Sequence, residues 1–151
     1  MPGAQVTTIV FRDGVLAADR RAFAGEKLPI GAKTKIARLA DGSLIGASTP
    51  NPGTSERFRR LVEEQGPAGA YPPGMNVQAL LVLPNGDVFY FKDGEAFAGP
   101  LDGAFFAIGS GSEYAIGALM AGASAVAAVE IACQCDVWSG SGVDVLTLQE
   151  D

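Results

Sequence analysis

Three turn dipeptides, Asp13-Gly14, Asp41-Gly42 and Asn85-Gly86, punctuate the chain, and each lies between two short apolar runs. Asp-Gly and Asn-Gly supply the positive φ angles that a tight hairpin needs, so each predicts a pair of antiparallel strands whose far ends meet again. The first hairpin runs from Val6 to Asp19. The second joins Lys35–Leu39 to Ser43–Ser48, and the third joins Val77–Leu83 to Asp87–Lys92. A polar stretch containing Gly and Pro connects the first two, and further turns fall at Asp93-Gly94 and Gly99-Pro100. Ala104–Ile108 and the alternating Val143–Leu148 read as two more strands.

The period changes after Thr54, which is placed to cap a helix in which Phe58, Leu61 and Val62 recur at three and four residues. That helix is expected to stop near Glu64, because residues 65–76 hold Pro67, Pro72 and Pro73 and read as a loop. Ser112–Met120 and Ser124–Cys135 predict two helices rich in small residues, broken near Gly122, with Ser124 as the second cap and Val126, Val129 and Cys133 on one face. Strands, one helix, more strands, two helices and a last strand suit an α+β fold with two antiparallel sheets stacked between helical layers. Other α+β arrangements fit the same spacing. At 151 residues the chain has enough length for one domain, whose folding hides about 70% of the unfolded surface.

The charge balance narrows the partners. A net charge of -6, with 11 basic residues spread along the chain, gives no electrostatic footprint for nucleic acid or an anionic membrane. No apolar run reaches the roughly 18 residues of a membrane span, and Met1–Gln5 has neither the positive start nor the apolar stretch of a signal peptide, so a cytoplasmic location is expected. Peptides, proteins or small molecules remain as substrates.

Histidine is absent, and the two cysteines, Cys133 and Cys135, stand two apart on a predicted helix, where their side chains diverge. Serine-histidine-acid triads, cysteine-histidine pairs and nearly all zinc sites are thereby removed, and no metal or other cofactor is expected. Hydrolytic chemistry would have to take its base from an amine or a carboxylate. Thr7 and Thr8 open the first hairpin, and a threonine that begins a chain has such a base in its own α-amine. Taken singly, these residues have plainer readings. Thr7 and Thr8 are good strand residues, Asp19 and Lys35 would make an ion pair worth under about 1 kcal/mol if exposed, and Gly109-Ser110-Gly111-Ser112 could be only a strand-to-helix turn.

Five segments in order carry a resemblance. They are Thr7-Thr8-Ile9-Val10; Leu16-Ala17-Ala18-Asp19; Lys35-Ile36; Ala107–Ser112 with Tyr114-Ala115; and Asp136–Gly140 with Val143-Asp144-Val145. Together, from about Thr7 to Leu148, the chain resembles the proteasome β-subunit and its bacterial relative HslV, members of the N-terminal-nucleophile (Ntn) hydrolases. The resemblance implies a four-layer αββα sandwich and a threonine-type peptidase. Thr7 would be the nucleophile, Lys35 would lower the pKa of its amine, and Asp19 would hold the lysine charged and oriented. Ser110, Asp136 and Ser139 would organise the amine and a neighbouring water. Gly46 would lend a main-chain N–H to the oxyanion, and Leu44 would line the pocket for the residue before the cut. It also implies homo-oligomeric rings enclosing the nucleophiles, an unfolded protein or peptide as substrate, and an ATP-dependent unfoldase as partner.

Three features depart from the family's pattern. Residues 1–6 precede Thr7, so the mechanism requires them to be a propeptide or to follow from a misassigned start, with Val6 as a GTG initiation codon. The first hairpin is shorter than in the proteasome. At about 3.3 Å per residue, a loss shared by both arms moves only the turn, whereas a loss from one arm misplaces Thr7. Counting back from Asp19 without a gap would put the nucleophile's position near Gly3, which offers no hydroxyl. Lastly, the 65–76 loop stands where the family has a longer helical hairpin facing neighbouring rings. Beside the peptidase, two readings remain: a catalytically silent ring scaffold or binding protein, and an Ntn amidase acting on a small amide.

Overall fold

The computed structural model describes residues 7–24, 28–51 and 53–148, so the expectations about Met1–Val6 and Gly3 lie outside the described residues. The elements in chain order are β1 (Ile9–Arg12), β2 (Val15–Asp19), β3 (Arg21–Ala24), β4 (Leu28–Ala32), β5 (Ile36–Arg38), β6 (Leu44–Ser48), α1 (Thr54–Gln65), β7 (Gln78–Val82), β8 (Val88–Lys92), β9 (Ala98–Leu101), β10 (Phe105–Ile108), α2 (Ser112–Met120), α3 (Ala125–Cys135) and β11 (Val143–Thr147). One sheet has the order β10-β1-β2-β11 and the other β5-β6-β7-β8-β9, with antiparallel neighbours throughout. They stack face to face between α2 and α3 on one side and α1 on the other, which is the expected αββα sandwich.

Strand alternation sorts the core into three layers. Ile9, Phe11, Leu16, Ala18, Leu44, Leu80 and Val82 fill the space between the sheets. Val10 and Ala17 turn the other way, against Ala115, Leu119, Ala128, Val129 and Ala132 of the helices. The small side chains of α3 let it lie close on β1 and β2. Ile45, Ala47, Ala79 and Leu81 point outward from the second sheet, under Phe58 and Val62 of α1. The central strands are therefore buried on both faces, which explains their near-continuous apolar runs.

The hairpins follow the turn residues. Asp13 (φ 51°) and Gly14 (φ 77°) both take positive φ, as a type I′ turn requires, and the arms pair in unbroken register from Arg12↔Val15 to Ile9↔Ala18. The pairing continues one step further, with the Asp19 N–H donating to the Thr8 carbonyl at 3.1 Å. The open ends of the two arms are therefore level.

Several local expectations are corrected. The polar stretch after Asp19 forms β3 and β4, a two-stranded arm closed at its base by Lys33 N–H on the Arg20 carbonyl at 2.7 Å. Residues 98–101, read as a turn at Gly99-Pro100, form the edge strand β9, where a proline's missing N–H costs no ladder bond on the open side. Thr54 is the first residue of α1 and makes no side-chain cap bond; Gly53 is the cap. Ser124, by contrast, caps α3 by accepting from the Ala127 N–H at 3.1 Å.

The loop after α1 packs into the same outer core cluster as that helix. It buries Tyr71 and Met75, and the Tyr71 ring packs with Phe58, Phe91 and Phe97 at centroid distances of 5.4 to 5.5 Å. The Tyr71 hydroxyl donates to the Gly66 carbonyl at 2.7 Å, and burial pushes its pKa up to about 12. An unfolded tyrosine loses its proton near 10, so this contribution to stability is present below that pH and fades as pH rises toward 12. Urea midpoints are expected to fall between pH 9.5 and 11.5 in the wild type and to fall less in Tyr71→Phe. Equal slopes would show that Tyr71 carries none of the alkaline loss.

Candidate active site

At the open ends of β1 and β2, where the two sheets meet, one buried carboxylate gathers five donors. Asp19 Oδ1 accepts from the Thr7 hydroxyl, the Thr8 N–H and Lys35 Nζ, each at 2.9 Å. Its Oδ2 accepts from the N–H groups of Arg21 at 3.1 Å and Gly140 at 3.0 Å. Asp19 has no exposed surface, and only 7% of the Lys35 side chain is exposed. A carboxylate withdrawn from water in this way is tolerable only because it is paired and fully hydrogen-bonded. Burial lowers the Lys35 pKa from its ordinary value, with Asp19 opposing the shift.

A second cluster sits beside it, built by the turn before α2 and the loop after α3. Asp136 closes the C-terminus of α3, its N–H on the Ala132 carbonyl at 2.7 Å. Its Oδ2 takes the Ser110 hydroxyl at 2.6 Å and the Ser139 hydroxyl at 2.7 Å. Each serine has one proton, and the charged acceptor wins it. Ser110 Oγ is therefore left to accept from the Thr7 N–H at 3.2 Å, and Ser139 Oγ accepts from the Thr8 hydroxyl at 2.8 Å. Thr8 is fully buried and had no assigned role; alternating strand residues gave no hint that its side chain reaches this cluster.

Two glycines make the approach close enough. A Cβ on Gly109 (φ 99°) would lie 2.6 Å from Thr7 Cγ2, and one on Gly111 would collide with Thr8 Oγ1 and sit 3.2 Å from Ala132 Cβ. The Gly-Ser-Gly run thus places Ser110 against the first hairpin while its neighbours leave room for both threonines.

Six of the eight expected positions, Thr7, Asp19, Lys35, Ser110, Asp136 and Ser139, come together in these two clusters. Gly46 does not join them as an oxyanion donor. The Ala47 N–H donates to the Lys35 carbonyl at 3.1 Å, so alternation turns the Gly46 N–H the other way, into the ladder opposite Leu80. The glycine instead permits sheet contact: a Cβ there would lie 2.8 Å from Ile9 Cγ2. Leu44 is also displaced from its expected role. It is fully buried between the sheets, and the residues that line the small cleft of about 20 Å³ beside Lys35 include Ala37, Ile45, Ala47 and Glu56. Side chains one step apart on a strand lie on opposite faces, so Leu44 lies between the sheets and Ile45 beside the cleft.

Cys133 lies near this assembly as a free thiol, and burial, with the Asp19 charge adding to it, pushes it up to about 11. At neutral pH it is a protonated, weakly reactive group.

No family model matches the chain, and no curated protein matches it. Solved structures do. Eukaryotic HslV from Trypanosoma brucei superposes with a TM-score of 0.66 at 18% identity, over 93% of this chain and 97% of that one. Thiobacillus denitrificans BPH in complex with epoxomicin superposes at 0.58 and 21% identity, over 95% of this chain and 99% of the other. BPH without that compound gives 0.58 at 21% as well, over 96% and 99%. Nearly the whole length of each chain is matched, so the sandwich is the HslV fold from end to end. Among the described residues, no helix is long and apolar enough to cross a membrane.

Proposed function

We propose that this chain is a threonine-type peptidase of the Ntn class, in which Thr7 becomes the nucleophile once residues 1–6 are gone, acting inside a ring of like subunits. The observation that carries the reading is the meeting of the Thr7 hydroxyl and Lys35 Nζ on one oxygen of Asp19, with the Thr7 nitrogen on Ser110 Oγ 3.2 Å away. A free α-amine titrates near 7.7 to 8.0 and is partly neutral at physiological pH. It would take the hydroxyl proton as Thr7 Oγ1 attacks the peptide carbonyl, then pass that proton to the departing amine as the C–N bond breaks. Water would hydrolyse the resulting ester. Lys35 favours the neutral amine by charge repulsion, and Asp19 orients the lysine.

Ring assembly is supported by apolar surface at the β10 edge. A groove of about 290 Å³ there is lined by Tyr90, Leu101, Phe105, Phe106 and Ile116, and Met120 nearby on α2 is exposed. The ATP-dependent unfoldase and the cytoplasmic location belong to the same proposal.

One observation favours the silent scaffold instead. In the full chain the Thr7 nitrogen is an amide that donates its hydrogen, and Thr7 has no exposed surface. Intact-mass measurement of protein from the native gene, followed by fluorogenic peptide assays and size-exclusion chromatography on protein made to begin at Thr7, separates the readings. Turnover by the Thr7-first protein alone, in a large assembly, is expected. A folded Thr7-first assembly that cleaves no peptide would establish the scaffold, and a small oligomer active only on compact amides would establish the amidase.

A further inference from the structure

The two clusters of the site hang on different parts of the chain, and one side chain spans them. The Arg21 N–H and the Gly140 N–H share Asp19 Oδ2, at 3.1 and 3.0 Å. The Gly140 carbonyl accepts from the Arg20 N–H at 2.9 Å, so the start of β3 and the loop after α3 are stitched through both sides of Gly140. From the same point the Arg21 side chain crosses back over that loop. Its Nη1 donates to the Val137 carbonyl at 3.2 Å, and its guanidinium lies against the Gly140 Cα. A Cβ on Gly140 would lie 2.6 Å from Arg21 Cζ and 2.9 Å from its Nε. Among the described residues, Arg20 is paired with Asp144, Lys33 with Glu56 and Lys35 with Asp19. The bonds of the Arg21 guanidinium go to the loop.

We propose that Arg21 is a positioning residue, a strut that holds the 136–140 loop against the Asp19 carboxylate and so fixes Ser139 and Asp136 relative to Thr7. A side chain at residue 140 would have to push the guanidinium out of the space it occupies. Ser139 adjoins this contact, so a shift of the loop moves its hydroxyl off Asp136 and off Thr8. The effect on rate rests on the Thr7 hydrolase reading; the contact itself does not.

The test is a double-mutant cycle in protein beginning at Thr7, with Arg21→Ala, Gly140→Ala and the pair, read by peptide hydrolysis and by urea unfolding. Arg21→Ala is expected to lower kcat by about ten- to a hundredfold, the scale that misplaced catalytic groups produce, with KM nearly unchanged. Gly140→Ala should do comparable damage alone and add little to Arg21→Ala, in rate and in urea midpoint alike. Arg21→Lys keeps the charge but not the flat face and should resemble Arg21→Ala. A raised KM with kcat intact would make Arg21 a substrate contact and overturn the proposal, as would additive losses or a fully active Arg21→Ala. Should the Thr7-first parent show no turnover, the peptidase reading fails by itself, and additivity in urea still decides against the strut.

Discussion

Thr7→Ala, made in protein that begins at residue 7, is expected to lose peptide hydrolysis by on the order of a thousandfold or more while remaining folded. The expectation comes from chemistry and location together. The hydroxyl is the only group at this point that combines a nucleophilic oxygen with an adjoining terminal nitrogen, and it is held 2.9 Å from Asp19 Oδ1. Its removal leaves Asp19 with four of its five donors, so the structural cost should be about 1.5–3 kcal/mol, the range for a hydrogen bond to a charged group. Activity and urea midpoint measured on the same preparation separate the two. Thr7→Ser is the informative companion, since it keeps the oxygen and should keep measurable turnover. Hydrolysis surviving in Thr7→Ala would assign the nucleophile elsewhere.

Lys35→Ala should be nearly as damaging to turnover, about a hundredfold or more, and more damaging to the fold. With the cation gone, the α-amine of a chain-opening Thr7 would hold its proton more tightly, so the residual rate should rise with pH over a range shifted upward from that of the wild type. The ion pair is also buried, with 7% and 0% of the two side chains exposed. Removing one partner strands the other, at a cost of about 3–5 kcal/mol. Lys35→Met, which retains most of the apolar stem, should recover part of the stability and none of the rate. An unaltered pH profile in either variant would mean that Lys35 does not act on the amine.

Most of the architecture was legible because it depends on short-range chemistry. Asp13-Gly14 and Asn85-Gly86 dictate hairpins wherever the flanks alternate, and Ser124 caps α3 as its hydroxyl allows. What could not be read depended on distant partners. The arm of β3 and β4 carries Arg21 and Pro29 and follows directly on Arg20, which obscures any alternation, and it is tied at its base by the Lys33 N–H on the Arg20 carbonyl. Thr54 looked like a cap, but Gly53 already occupies that place with a φ of 81°. Within the site, the six residues that converge were found through family resemblance, since nothing local joins Ser110 to Thr7 across 103 positions. Gly46 and Leu44 lie on the strand β6, where the direction of an N–H and of a side chain alternates at every residue, so the Gly46 N–H enters the ladder and the Leu44 side chain the space between the sheets.

The level ends of the first hairpin govern how its length can vary. With Thr8 facing Asp19 and the turn far from the chemistry, the paired arms can lengthen or shorten in matched pairs, one residue per arm, and a lone residue has to be taken up in the turn or as a bulge if Thr7 is to keep its place. A lone insertion within β1 between Val10 and Arg12, if no bulge absorbed it, would reverse the facing of the residues before it, carrying Val10 from the helical side to the inter-sheet side and lifting Thr7 off the carboxylate. Length differences among natural variants of this chain should therefore fall in the turn or come in matched pairs along the arms.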